Sequence, residues 1–164
     1  MLYQKTLVAD GFEVPERLVT PRFTLRKLTI ADLDMDFEAV TSSEKHLRGV
    51  FGPQSNWPDG LTKERDLADL GWHETEFDLR TSFAYTVVDS EDTTCLGCVY
   101  FFPSRTPVYD ALCVLWVRSS ALADGLDAEL FACVKAWLQK EWPFQRVAFP
   151  GRTLSWEELE AQNL

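Results

Sequence analysis

The chain has no uninterrupted apolar run approaching the ~18 residues that a membrane-crossing helix needs, so a membrane span is not expected. Its N-terminus "MLYQKTLVADGFEVPERLV" has no apolar centre and carries early acids, so no signal or transit peptide is expected. Basic residues are scarce: 16 Lys and Arg stand against 26 Asp and Glu, a net charge of −10. That balance argues against nonspecific binding of nucleic acid or of an anionic membrane. It favours a neutral or cationic partner, although excess acid also serves solubility. Histidine is scarcer still, and His46 and His73 do not have the spacing of a zinc site. Four cysteines in a domain-sized chain sit inside apolar runs, which reads as reduced thiols in a cytoplasmic protein.

What is present is enough for a core. The 164 residues are one domain's worth, and 46% are hydrophobic and 13% aromatic. "RFTLRKL" (22–28) alternates as a strand does. Thr29 and Asp32 then form a helix-start signature, and Ile30, Leu33, Phe37 and Val40 give a helical stripe. "GPQSNWPDG" (52–60) is turn chemistry, and Thr62 opens a second helix through "KERDLADLGWHETEFDLR". Three strand-like runs follow at 82–89, 94–102 and 110–117, joined by short polar connections that imply antiparallel neighbours. The helix "AELFACVKAWLQKEW" turns Leu130, Phe131, Val134, Trp137 and Leu138 to one side, and Pro143 ends it. "QRVAF" (145–149) is a short strand, and Ser155 with Glu158 caps a last helix. The order β-α-α-β-β-β-α-β-α predicts an α+β, or mixed α/β, single domain over 1–164, with a parallel crossover from 110–117 to 145–149.

The order and several words resemble the GNAT acyltransferase superfamily. "FTLRKLTIADLDMDFEAV" is similar to its opening strand and first helix. "FAYTVVDSEDTTCLGCVYFFP" is similar to its central hairpin, with Leu96-Gly97 at a position that often reads apolar then glycine. "WVR" (116–118), "WL" (137–138) and "WPFQRV" (142–147) resemble a bacterial acetyltransferase-like subgroup. The resemblance implies a mostly antiparallel sheet flanked by helices and an N-acetyltransferase that moves an acetyl group from acetyl-CoA to a small amine. It implies that backbone groups at Leu115, Trp116 and Val117 hold the pantetheine arm, and that Gly125, Leu126 and Asp127 lie where a loop wraps the pyrophosphate.

That loop departs from the family pattern, which reads Gln or Arg, two residues, Gly, one residue, then Gly or Ala. In Leu122-Ala123-Asp124-Gly125-Leu126-Asp127 only Gly125 matches. Leu122 replaces the polar first position, and a side chain at Asp127 crowds the approach that a glycine permits. Asp127 reads as the N-cap of a helix starting at Ala128, which occupies the N–H groups a phosphate needs. Arg118 is the nearby cation available to compensate. The competing expectation is therefore a catalytically inactive GNAT-fold protein that binds a ligand or partner in the same cleft.

"CLGC" (95–98) has the spacing of redox and metal sites. Within a regular strand, residues three apart point to opposite faces and cannot close on one ion, so no metal and no thiol redox centre is expected. His46, His73 and Asp110 are candidate general bases that also read as surface or helix-face residues, so no catalytic residue is assigned. The six tryptophans read as packing residues, or as an aromatic pocket near Trp57 or Trp116. The strand 145–149 is left as a sheet edge, which predicts a homodimer.

Overall fold

A computed structural model describes residues 5–162. Six strands form one sheet in chain order: β1 (Arg17–Val19), β2 (Thr24–Lys27), β3 (Phe83–Val88), β4 (Cys95–Pro103), β5 (Ala111–Val117) and β6 (Val147–Ala148). Neighbours are antiparallel except β5 and β6, which run parallel. The parallel step is the crossover read from the sequence, made by α4 (Leu126–Glu141). The other helices are α1 (Leu33–Thr41), α2 (Glu44–Leu47), α3 (Lys63–Leu79) and α5 (Trp156–Ala161). The mostly antiparallel α+β sheet agrees with expectation. The three-residue β1 and one-turn α2 are additions too short for periodicity to announce.

The central strands are apolar on both faces because both faces are covered. On one face, Leu126, Leu130, Val134 and Trp137 of α4 pack on Tyr85, Phe101 and Leu115. On the other, Ala39 and Val40 of α1, Leu47 of α2 and Leu70 of α3 pack on Ala84, Cys98, Tyr100 and Trp116. Thr62 caps α3 by accepting the Arg65 N–H at 3.2 Å, and Ser155 and Glu158 form the reciprocal cap of α5. Among the described residues, no helix is long and apolar enough to cross a membrane.

The hairpin of β3 and β4 carries the one break in register. Val87 faces Gly97, but Val88 faces Cys95, so Leu96 is an extra residue on β4. A Cβ at Gly97 would stand 2.1 Å from the Trp116 carbonyl oxygen, so only glycine lets β5 close on the bulge.

Candidate functional site at the open edge of the fifth strand

β5 pairs with β6 only through Ala111↔Val147 and Leu112↔Ala148. Beyond Ala148 the chain turns away through Pro150 and Gly151, whose φ of +84° suits glycine. The strands therefore splay, and the rest of β5 presents an unpaired backbone edge. Strand alternation decides which groups lie on it. The Trp116 carbonyl is turned to β4, where it meets Gly97, whereas those of Leu115 and Val117 face the opening.

Two side chains reach these carbonyls. Arg152 donates Nη2–H to Leu115 O at 3.1 Å and grips Asp127 with both terminal nitrogens, each at 2.8 Å. His46 places Nε2 at 3.1 Å from Val117 O. The Arg152 guanidinium also lies over the Phe131 ring, 5.1 Å from its centre. Hydrogen bonding to this guanidinium holds the Asp127 carboxyl below its usual range, against a smaller opposing effect of burial.

The resulting cavity of about 420 Å³ is lined by His46, Arg48, Leu115, Asp127, Arg152 and Trp156. A neighbouring cavity of about 440 Å³ is walled by Phe51, Phe102, Leu112, Arg105 and Glu160. Val114 and Trp156 line both, so the two form the arms of one cleft on either side of the Trp156 ring.

The end of the first arm differs from the sequence expectation. Asp127 does not cap α4. The helix starts at Leu126, and Gly125 occupies the N-cap with φ 74° and no side-chain cap. Gly125 closes the preceding 3₁₀ turn (Ser119–Asp124) by donating its N–H to Leu122 O, and its left-handed backbone lets the helix begin early. Asp127 is thereby carried into the first turn, and Arg152 draws its carboxylate across the cleft. The first N–H groups of α4 are thus not consumed by the Asp127 side chain.

Leu115 and Asp127 line the cleft, Val117 reaches it only through the carbonyl that His46 meets, and Gly125 is not part of its lining. Leu126 instead points into the core, and the Trp116 indole is buried on the opposite face, donating to Tyr100 Oη at 3.1 Å. Arg118 does not serve the loop: it is spent on Glu38 (2.9 and 2.7 Å), Cys95 O and Ser120. Asp110 is a structural acceptor for the backbone N–H groups of Gln145 and Arg146. His73 packs on Tyr100, 5.2 Å between ring centres, away from the cleft. Trp57 and Trp116 belong to an aromatic cluster with Phe51, while the aromatic cavity walls are Phe51, Phe102 and Trp156. Arg152 was invisible to sequence reasoning: it follows a "PG" turn, and only folding brings it to a residue 25 positions earlier.

Cys95 and Cys98 do not point to opposite faces as a regular strand would require. The bulge at Leu96 adds a residue, so Cys95 and Cys98 point to the same face, toward Asp36.

No sequence-family model and no curated protein matches the chain. Solved structures do. A ribosomal-protein-S5-alanine acetyltransferase from Vibrio fischeri is similar over 90% of this chain and 81% of its own, with TM-score 0.66 at 15% identity. A protein assigned to the GnaT acetyltransferase family from Bordetella pertussis is similar over 82% and 77%, with TM-score 0.63 at 20% identity. RimL, a ribosomal protein acetyltransferase solved in complex with coenzyme A, is similar over 73% and 66%, with TM-score 0.57 at 14% identity. The chain has the GNAT acetyltransferase fold.

Proposed function

We propose that the splayed edge of β5 is an acyl-CoA cleft and that the protein is an N-acyltransferase for a small amine, acetyl-CoA being the donor tested first. One observation carries this reading: a wedge floored by the outward carbonyls of Leu115 and Val117 ends at the first turn of α4, which no side chain caps. Amide N–H groups of a pantetheine arm would replace Arg152 and His46 on those carbonyls, and helix N–H groups would meet the diphosphate. The second arm then takes the amine. Its aromatic walls suit an apolar body, and Glu160 suits a cationic head. In the reaction the neutral amine nitrogen bonds to the thioester carbonyl carbon, the C–S bond breaks, and the proton lost by the amine ends on the leaving thiolate, giving the amide and free CoA thiol.

A second reading has its own observation. Both outward carbonyls already have partners from this chain, and Asp127 stands beside the diphosphate position. That suits a GNAT-fold protein that binds a ligand or partner without catalysis.

Calorimetric titration with acetyl-CoA separates the two. We expect saturable binding, tighter by about five-fold in Asp127→Asn, since removing one charge at a helix N-terminus is worth about 1 kcal/mol and frees Arg152 for the phosphates. No heat from either protein at millimolar acetyl-CoA would overturn the acyl-CoA reading and leave the second.

A further inference from the structure

The face of the sheet opposite α4 holds a second cluster of reactive groups, which the cleft does not use. The Sγ atoms of Cys95 and Cys98 and a carboxylate oxygen of Asp36 all lie within 4.8 Å of one another. Cys98 Sγ is 3.6 Å from Asp36 Oδ1. All three residues are buried: Asp36 is 4% exposed, Cys95 1% and Cys98 0%. Zinc with thiolate and carboxylate ligands has bonds of about 2.3 and 2.0 Å, which puts neighbouring donor atoms roughly 3.5 Å apart. The Cys98–Asp36 separation already fits that spacing.

The surroundings treat Asp36 differently from its neighbour. Asp32, one turn earlier and also buried, is held by Arg26 at 2.7 and 3.1 Å. Asp36 has no such cation among the described residues; it meets Cys95, Cys98 and a second buried carboxyl, Asp66 on α3. Asp66 is hydrogen-bonded to Asp36, and its buried Oδ2 lacks a partner among the described residues. Among the described residues, two acids and two thiols thus share one dry pocket with no cation between them.

We propose that Asp36, Cys95 and Cys98 bind a thiophilic divalent cation of the zinc class, with Asp66 positioning Asp36 and lying beside the remaining coordination position. Binding releases one proton each from Cys95, Cys98 and Asp36, so the centre carries one net negative charge. Arg118 faces it, donating Nη1–H to Cys95 O at 3.1 Å. Asp66 keeps its proton and donates it to Asp36, as outer carboxyl groups do for metal ligands. Two thiolates select a thiophilic ion over magnesium or calcium. A disulfide would use the two sulfurs alone and leave Asp36, whose Oδ1 is 3.6 Å from Cys98 Sγ, without a role. The ion ties α1 to β4 across the bulge, and its role is structural. This reading does not depend on acyl-CoA binding.

The test uses the full chain, reduced and freed of metal, titrated with Co²⁺ and then Zn²⁺. We expect one equivalent of Co²⁺ with a thiolate charge-transfer band, displacement of that band by Zn²⁺, and a rise in melting temperature with either ion. Cys98→Ser should lose most of the band. Asp66→Ala should keep it and bind about ten-fold more weakly. Elemental analysis of untreated wild-type protein gives a reading that needs no variant to fold, and about one zinc per chain is expected. The proposal is overturned by absence of both band and melting shift at excess Co²⁺. It is equally overturned by a band that survives in both Cys95→Ser and Cys98→Ser, or by a thiol count showing Cys95 and Cys98 joined as a disulfide.

Discussion

His73 shows what burial does to a single titratable group. Its ring packs on Tyr100, and its buried Nδ1 has no partner among the described residues. Desolvation lowers its pKa from 6.5 to about 4. Between those values the unfolded chain takes up a proton that the folded protein refuses, so this group's contribution to stability is lost as pH falls through that window. The effect is on the order of 2 kcal/mol. Urea unfolding at pH 7 and pH 4.5 should show the wild type losing more than His73→Phe does. Equal losses in the two proteins would mean that His73 titrates as it does in water. The sequence placed this residue on a helix, but the helical stripe could not tell which neighbour would remove its water.

At the scale of elements, the hairpin of β3 and β4 matters most. Its bulge changes which side chains share a face, and that alone separates the sequence reading of "CLGC" from the observed cluster. Gly97 permits it. Adding a Cβ 2.1 Å from the Trp116 carbonyl would force the backbone of β5 away. Gly97→Ala should therefore cost about 3 kcal/mol in chemical denaturation, the upper range for overpacking. A cost below about 0.5 kcal/mol would show that the strands part easily there. The start of α4 teaches the same lesson from the other side. Asp is a strong N-cap residue, yet Gly125 caps α4 and Asp127 turns to Arg152. A charge-assisted, bidentate contact with a guanidinium outweighed a local hydrogen bond.

For the whole molecule, the sheet edge matters most. β6 is two residues long and terminal in the strand order. Among the described residues no strand pairs with its outer edge, and we propose a homodimer through it. Light scattering should then give twice the chain mass of 18.8 kDa, reduced to one chain by Val147→Pro. A wild-type mass of one chain removes the proposal. The excess of acid over base bears on the cleft as well. Arg48 and Arg152 are the arginines lining its first arm, and in this protein of net charge −10 both are already paired, with Asp59 and Glu44 and with Asp127, so an anion would have to compete for them.

The amino-acid sequence by itself determined the strands at 22–28, 82–89, 94–102 and 110–117, the helices with their caps at Thr62 and Ser155, and the parallel crossover. These follow from periodicity and end chemistry, which are local. It also pointed to the stretch of β5 and the turn before α4 where the cleft lies. Only the tertiary structure decided that Arg152 and His46 occupy the edge of β5, that Arg118 is spent on Glu38, and that Asp36 meets two thiols. The thiol cluster depends on one inserted residue and the Asp127–Arg152 contact on one left-handed glycine, each of which reassigns directions across distant elements. Side-chain pairings of that kind have no period for a sequence to display.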